Sequence, residues 1–436
     1  MTRLLLRADA SPTIGVGHLS RCVAIAAAAR ARGWDVALWG SVTAGEWLLG
    51  DLPVVPDGGP ADVVVVDHYG LGEVSLDAVV VSVEDGEFGR RRADVVVDAN
   101  LAQGARPDDG SPVVLCGPAY APLRAEVRAA RDARSAGATP PKVVVVMGGG
   151  AAPDAIAAAL TALRDTGVPM DVHAISSVPV PGFAVSPPTP ELPALFAEAD
   201  LVVSAAGVTL LELCCIGVPT ALVRVADNQA AGYEAALSQG LAVGLGADPR
   251  EHVAELTALL SDPAARDALA AKAMATVDGR GADRILDAAA LRLTSVRPAT
   301  MADAELLLAW RNDPDTRAWS RTSDTISLAD HRDWLATALD NPERRFLIAE
   351  YDDRPVGTVR FDYGNDAWEV SITLAPAARG RRLALPVLLT AEAVLANPTI
   401  HAIVHRDNVA SRALFHHAGY RDESADGVWL RLVKSL

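Results

Sequence analysis

The chain has 436 residues, half of them hydrophobic, with 39 basic and 55 acidic side chains and a net charge of -16. At roughly 100–200 residues per domain, this length predicts two to four domains, and the acidic balance argues against sequence-independent nucleic-acid binding, which needs basic surface. No apolar run reaches the ~18 residues that span a membrane, and the run in MTRLLLRADASP is too short for a signal-peptide core, so a cytoplasmic protein with no membrane or nucleic-acid partner is expected.

Short runs rich in Val, Ile and Leu recur along the first half, at 4–6, 63–66, 79–83, 95–97, 113–115, 143–147, 172–175, 201–203 and 220–223. Continuous apolar runs of this length predict strands buried on both faces. Ala-rich stretches of helical length lie between many of them, at 19–32, 153–166 and 208–216. Such alternation predicts doubly wound α/β architecture. The pattern restarts at Lys142, after an Ala-, Gly- and Pro-rich stretch, 131–141, that reads as a hinge. Two Rossmann-like domains are therefore expected, 1–140 and 141–293, with a ligand in the cleft near the carboxyl ends of their strands.

A helical, Ala-rich stretch at 251–293 precedes a change of texture. Trp310, Trp319, Trp334, Trp368 and Trp429 fall beyond it, and closely spaced strands at 345–351 and 356–361 suggest an antiparallel meander. This third domain, 295–436, is expected to be α+β. The cysteines Cys22, Cys116, Cys214 and Cys215 form no C-x-x-C pair, and are expected as buried free thiols in a reducing compartment. No metal site is expected.

Two stretches carry chemistry. In the first, Gly15 and Gly17 flank a turn after the opening strand, where glycine permits positive φ and close backbone approach. The helix that follows would aim its N-terminal amides at the cleft, a natural anion site. His18 falls at that helix start, where the dipole favours a neutral ring. It either activates water as a general base or only caps the helix or bonds a ligand.

The segment Arg7-Ala8-Asp9, then Gly15-Val16-Gly17-His18-x-x-Arg21, resembles the UDP-sugar hydrolases of the pseudaminic-acid pathway. The likeness continues through Val66-Asp67-His68-Tyr69-Gly70, Gly117-Pro118-x-Tyr120-x-x-Leu123-Arg124, Met147-Gly148-Gly149, Ser204-Ala205-Ala206-Gly207-x-Thr209-x-x-Glu212, Gly217-x-Pro219, Asp227-Asn228-Gln229 and Asp278-Gly279-x-Gly281-Ala282. The resemblance implies a GT-B-like pair of domains and inverting attack by water. It implies His18 as base, with Tyr69 and Asn228 in the sugar subsite. Gly15, Gly17, Arg21, Gly148, Gly149, Gly207, Thr209, Glu212 and Gln229 would bind the nucleotide and diphosphate, with Glu212 on the ribose. Asp9 and Asp67 are equally readable as structural turn residues. The sequence departs from the family at Glu84-Asp85, where two aspartates are more usual, and in the glycine loop Gly148-Gly149-Gly150, followed by Ala151-Ala152, where the family usually has a polar residue at the third position.

The second stretch follows a strand at 368–374. Arg379-Gly380-Arg381-Arg382-Leu383-Ala384 leads into an apolar helix. A strand, a basic glycine turn and a helix start form a pyrophosphate cradle. This resembles the CoA-binding motif of the GNAT acetyltransferases, with Arg382 where that pattern has glycine. Asn408 and Ser411 resemble the second CoA-contacting region. The resemblance implies acetyl-CoA as cosubstrate, held by Leu374, Arg379, Gly380, Arg381, Arg382, Leu383, Ala384, Asn408 and Ser411. Phe415 stands where a tyrosine often serves as acid. Glu369 would act as a base through water, or is simply an exposed strand glutamate. Trp310-Arg311-Asn312-Asp313 and His331-x-x-Trp334 resemble acetyltransferases of nucleotide-linked 4-amino sugars. Together the two halves imply a bifunctional enzyme acting on a UDP-linked amino sugar, as a monomer or small homo-oligomer. A GT-B glycosyltransferase carrying a GNAT domain and a non-catalytic sugar-nucleotide-binding regulator are the rival readings.

Overall fold

The structure, a computed structural model, describes residues 1–436 apart from 75, 103, 149–151, 227, 228, 321, 397 and 436. Gly149 and Asn228 of the expected site therefore lie outside the described residues. The chain forms two compact units, Met1–Leu286 and Asp287–Leu436.

The first unit holds two parallel sheets. One runs through β1 (Arg3–Arg7), β2 (Asp35–Trp39), β3 (Val54–Val55), β4 (Val63–Val66), β5 (Val79–Glu84), β6 (Val95–Asp98) and β7 (Val113–Cys116), in the spatial order β3-β2-β1-β4-β5-β6-β7. The second comprises β8 (Lys142–Val146), β9 (Asp171–Ile175), β10 (Leu201–Ala205), β11 (Thr220–Val223) and β12 (Val243–Gly244), in the order β12-β11-β10-β8-β9. In each sheet the chain starts near the middle, builds to one side, and returns to build the other. The reversal falls between β1 and β4 in one sheet and between β8 and β10 in the other. Loops diverge at such points and leave a crevice at the carboxyl ends of the strands.

Burial follows the sheet order. All four residues of β4 are buried, as its all-valine sequence requires. At the sheet edge, β7 alternates between half-buried and exposed. Cys116 is accordingly exposed, which corrects the expectation of four buried thiols; Cys22, Cys214 and Cys215 are buried. The double winding is also incomplete in the first sheet. Helix α1 (Gly17–Arg30) links β1 to β2, but β4, β5, β6 and β7 follow one another with no helix among the described residues between them.

The stretch read as a hinge from 131 begins inside α2 (Ala125–Asp132). That helix belongs by packing to the second sheet. Its Val127 and Ala130 are buried with Phe196, Leu210, Leu213 and Val277, and so join α4 (Leu192–Glu198) and α5 (Val208–Ile216), which follow α3 (Pro153–Asp165). Arg131 Nη1 donates to the carbonyls of Cys215 at 2.9 Å and Val277 at 2.8 Å. A guanidinium there satisfies carbonyls that a helix end leaves without amide partners. Beyond α6 (Ala230–Ser238), the long helical stretch divides into α7 (Val253–Ser261), α8 (Pro263–Thr276) and α9 (Gly281–Arg292). The start of α9 ties back to the first sheet's flank, because the buried Arg32 donates to the Asp283 carbonyl at 2.7 Å.

The second unit is one mixed sheet with helices. Its strands are β13 (Thr294–Pro298), β14 (Arg344–Tyr351), β15 (Arg354–Gly364), β16 (Ala367–Leu374), β17 (Thr399–His405), β18 (Arg421–Asp426) and β19 (Trp429–Ser435), in the order β13-β14-β15-β16-β17-β19-β18. All pairs are antiparallel except β16 with β17. Helices α10 (Ala304–Asn312), α11 (Pro314–Ala318) and α12 (Leu328–Asp340) precede β14, α13 (Ala384–Glu392) follows β16, and α14 (Val409–His417) follows β17.

The close approach at the start of α9 yields a test. A Cβ on Gly281 would lie 2.1 Å from the Ala121 carbonyl oxygen, a backbone atom that has no rotamer to yield. Gly281→Ala is expected to destabilise the first unit by about 2–3 kcal/mol, the scale of overpacking. Gly72→Ala, where nothing lies within 4 Å of the added carbon, is the neutral control in urea titration.

Candidate functional site

The carboxyl edge of the first sheet gathers the expected residues around the reversal between β1 and β4. Gly15 has φ +82°, and α1 begins at Gly17, so His18 lies in the first helical turn. Asp67 follows β4 directly and is fully buried. His18 Nδ1 lies 2.6 Å from Asp67 Oδ1. Arg21, one turn along α1, grips the same carboxylate with Nε at 2.6 Å from Oδ2 and Nη2 at 2.7 Å from Oδ1. The guanidinium also passes 3.0 Å from His18 Nδ1. Both groups are donors when the shorter contact is made, so Nδ1–H donates to Asp67 and Nε2 is left as the ring's acceptor.

Burial alone would push the Asp67 carboxyl up. The charge and hydrogen bonds of Arg21, with the bond from His18, outweigh it and hold the group at about 2. Asp67 thus joins His18 and Arg21 in one buried cluster. Its signal in the sequence is an aspartate placed directly after four buried valines. The Tyr69 ring meets His18 edge-on at 4.4 Å, and its hydroxyl donates to Asp85. Burial, then the Asp85 charge, pushes the Tyr69 phenol well above its usual range. Asn100 Nδ2 donates to the other Asp85 oxygen at 2.8 Å. Asp85, notable in the sequence only as a departure, therefore positions Tyr69. Asp9 is held at about 2 by the bonded guanidinium of Arg7, against burial, and also takes His68 Nε2 at 3.0 Å.

The expected nucleotide-binding residues occupy the matching edge of the second sheet. Gly148, with φ +77°, follows β8, and Gly207 follows β10. Thr209 lies in the first turn of α5. A Cβ on Gly207 would stand 3.6 Å from Gln229 Nε2, while Gln229 Oε1 is buried without a partner. The two edges approach each other: a Cβ on Gly17 would lie 3.6 Å from Val208 Cγ2. Glu212 is buried, and Arg124 Nη2 reaches its Oε1 at 3.4 Å. Burial raises its carboxyl despite Arg124, so Glu212 is less open to a ligand than an exposed helix glutamate would be.

In the second unit, β16 and β17 pair only at Trp368–Ile400, Glu369–His401 and Val370–Ala402. Beyond these residues the two strands part, although β16 keeps its register with β15 to Leu374 and β17 keeps its register with β19 to His405. The opening belongs to a cavity of about 810 Å³ lined by Glu369, Ser371, Thr373, Leu374, Ile403, His405, Asn408, Ser411 and Phe415 on the strand and α14 side. Splayed strands expose unpaired backbone donors and acceptors, a ready template for an extended chain of amides.

Of the basic loop, Arg379 lines this cavity, whereas Gly380, Arg381, Arg382, Leu383 and Ala384 are not among its lining residues. Gly380 has φ +76° and Arg382 has φ +57°, so the position where the motif carries glycine is left-handed here too. The Leu383 side chain is buried, which leaves its backbone, not its side chain, to meet a ligand. Ala384 begins α13. The expected phosphate contact at Arg379 meets competition. Its guanidinium binds Asp313 at 2.6 Å, Asp315 at 3.2 Å and Thr316 Oγ1 at 2.7 Å. Asn408 Oδ1 caps α14 by accepting from the Ser411 amide at 3.0 Å, and both residues line the cavity. Glu369 stands opposite Asp362 and His401 in the sheet and faces the cavity. The aromatic wall of Trp310, Trp319, Trp334, Phe346 and Trp429 shows in the sequence as a change of texture and, for Trp310 and Trp334, in the family-like motifs.

Residues 292–421 match the acetyltransferase (GNAT) domain family. The second unit is an acetyltransferase domain of this kind, with acetyl-CoA as its cosubstrate. Among curated protein sequences none matches the chain. Solved structures similar to it include a spermidine N-acetyltransferase from Vibrio cholerae bound to CoA and spermine, at 15% identity and TM-score 0.30, covering 33% of this chain and 96% of that one. An acetyltransferase from Thermus thermophilus shares 23% identity at TM-score 0.30, covering 33% of this chain and 97% of that one. Among the described residues no helix is long and apolar enough to cross a membrane, and no group of three or more His, Cys, Asp or Glu side chains could hold a metal.

The Asp67 pair predicts a pH dependence. Its folded pKa lies below the ordinary 3.8, so its stabilisation is present above that value and lost as pH falls toward about 2. Asp67→Asn leaves Arg21 buried without its anion and is expected to cost about 3–5 kcal/mol at neutral pH. Urea unfolding as a function of pH should show a flatter acid limb in the variant.

Proposed function

We propose that the chain is a bifunctional enzyme of nonulosonic-acid (pseudaminic acid-like) sugar biosynthesis. Its second unit N-acetylates a UDP-linked 4-amino-4,6-dideoxy sugar with acetyl-CoA. Its first unit, a GT-B-like pair of Rossmann-like domains, hydrolyses the resulting UDP-diacetamido-trideoxy sugar. The acetyltransferase half rests on the family match together with the splay of β16 from β17. The observation that carries the hydrolase half is the His18–Asp67 pair at the strand reversal of the first sheet.

In the hydrolytic step, His18 Nε2 takes the proton of a water whose oxygen attacks the anomeric carbon. The bond to UDP breaks, the electron pair leaves with the diphosphate, and attack opposite UDP inverts the centre. Asp67 fixes the tautomer that leaves Nε2 available. Tyr69, braced by Asp85, lines the sugar side with Asn228. Amides at Gly148, Gly149 and Gly207 and the start of α5 hold the diphosphate, with Gly15, Gly17, Arg21, Thr209, Glu212 and Gln229 completing the site.

In the acetyl transfer, the pantetheine amides of acetyl-CoA pair with the parted edges of β16 and β17. The diphosphate meets the amides from Gly380 to Ala384 at the start of α13. The acceptor nitrogen attacks the thioester carbonyl, the carbon–sulfur bond breaks, and CoA thiolate departs. Glu369 removes the amine proton through a water.

The diacetamido UDP-sugar supplied without any acceptor should yield UDP and free sugar. His18→Ala should remove UDP release, a loss of about 10²–10⁴-fold for a general base, while CoA release with the UDP-amino sugar continues. UDP release only on addition of a sugar acceptor would instead identify a glycosyltransferase. Arg382→Gly should relieve the left-handed backbone and raise stability by about 1 kcal/mol. If the Arg382 charge meets the CoA diphosphate, the same variant raises the KM for acetyl-CoA, measured by thiol release.

A further inference from the structure

The side of the large cavity proposed for acetyl-CoA is lined by the parted strands and α14. Its opposite wall is built from α10, α12 and β14, and it holds two polar atoms with no use so far. His331, on α12, is 3% exposed and lines the cavity. Its Nε2 is buried and has no hydrogen-bond partner. The Ala304 backbone lies close to the ring and favours its protonated form; in the neutral tautomer protonated at Nδ1, Nε2 is an acceptor. Burial pushes the His331 pKa down, which keeps the ring in this neutral form. A buried acceptor without a donor is costly, so a ligand that supplies one gains from it.

Arg311, on α10, presents the complementary gap. Its Nη2 donates to the Thr322 carbonyl at 2.7 Å, but its Nη1 is buried without a partner. Trp334 lies one turn beyond His331 on the same helix face, with the two rings 5.5 Å apart. The Trp334 ring also packs edge-on against Phe346 at 5.8 Å. Its remaining 40% exposure offers a flat apolar surface to the cavity.

We propose that His331, Trp334 and Arg311 form the acceptor-recognition site of the acetyltransferase, taking an amino sugar. The sugar ring lies against Trp334, a hydroxyl or N–H group donates to His331 Nε2, and an oxygen of the sugar or its substituent accepts from Arg311. A sugar supplies donors and acceptors on one rigid frame. A polyamine supplies donors alone and leaves the Arg311 donor without an acceptor. The site rests on the amino-sugar reading of the second unit but adds the residues that would read the acceptor.

The test is steady-state kinetics of the full chain with acetyl-CoA and three acceptors: a UDP-4-amino-4,6-dideoxy sugar, the aminoglycoside ribostamycin, and spermidine. His331→Phe should raise the acceptor KM about tenfold, the loss expected of one buried hydrogen bond, with the KM for acetyl-CoA unchanged. His331→Gln, which returns an acceptor oxygen near the Nε2 position, should recover most of the effect. An unchanged acceptor KM in His331→Phe, or an equal rise in the acetyl-CoA KM, overturns the proposal. Should His331→Phe fail to fold, the imidazole nitrogen resonances of the wild type decide: Nε2 must shift on titration with the turned-over sugar, and an unmoved resonance overturns the site. Turnover of ribostamycin but not the UDP-sugar, with the same dependence on His331, overturns the UDP-linked substrate and supports the recognition site. Preference for spermidine, or no turnover of any of the three, overturns both.

Discussion

A carboxylate with no access to water stays ionised only if a cation and hydrogen bonds replace its hydration. Asp67 is in that position, and Arg21 and His18 are the replacement. The requirement explains the spacing at the start of α1. Residues three apart share a helix face, so His18 and Arg21 reach one carboxylate together only if α1 starts at Gly17 and passes over the end of β4. Because β4 is the hydrogen-bonded neighbour of β1, one ion pair fixes the helix, the reversal point of the sheet and the orientation of the imidazole. Tyr69 and Asp85 extend the same network to the end of β5, the next strand. The candidate site is thus a consequence of sheet order: three adjacent strands deliver their carboxyl ends to one small volume.

The second unit builds its site by withholding pairing instead. A central parallel pair that stops after three matched residues leaves backbone groups exposed within the sheet, which would ordinarily be a defect. Here β15 and β19 hold the outer sides of the parted strands, so the gap does not propagate. In the proposed acetyl transfer the gap is where an amide-bearing cosubstrate would complete the hydrogen bonding, so that binding and sheet completion would be one event.

Elements with a strong local signal were legible in the sequence. The valine runs of β4, β5, β6 and β8 lie where their apolar continuity placed them, and α5 spans the expected 208–216. Strand β2 was not among the expected runs, although its Val36–Trp39 is continuously apolar. The helix-free passage from β4 to β7 escaped because long polar connections look alike whether or not a helix is present. The exchange of α2 into the second sheet's core could not be read locally, since Val127 and Ala130 fit any amphipathic helix. In the site, His18 and the glycines announced themselves through an ordered pattern. Asp67 and His331 stood in family-like motifs without an assigned role, because what distinguishes them is a partner supplied from 46 residues away at Arg21, or the lack of any partner at His331 Nε2.

Phe415 illustrates how the environment settles a question that residue identity raises. A phenylalanine cannot protonate the leaving thiolate, and the neighbouring Tyr420 invites comparison as a substitute. The two rings pack edge-on at 4.9 Å. Tyr420 is nevertheless committed elsewhere: its hydroxyl donates to the buried Glu392 carboxylate at 2.7 Å, which Lys434 holds from the other side. Burial and the Glu392 charge push the phenol far above its usual range, and Tyr420 does not line the cavity. Among the described residues no tyrosine lines it. The acetyl transfer proposed for this unit must therefore expel a thiolate without a phenolic acid. Thiolates leave more readily than alkoxides because the conjugate thiol is already a fairly strong acid, with a pKa of about 8.5 for a simple cysteine thiol. The demand then shifts to the other side of the reaction. The amine must arrive deprotonated and well aimed, which places the chemical burden on Glu369 and on whatever holds the acceptor against α12.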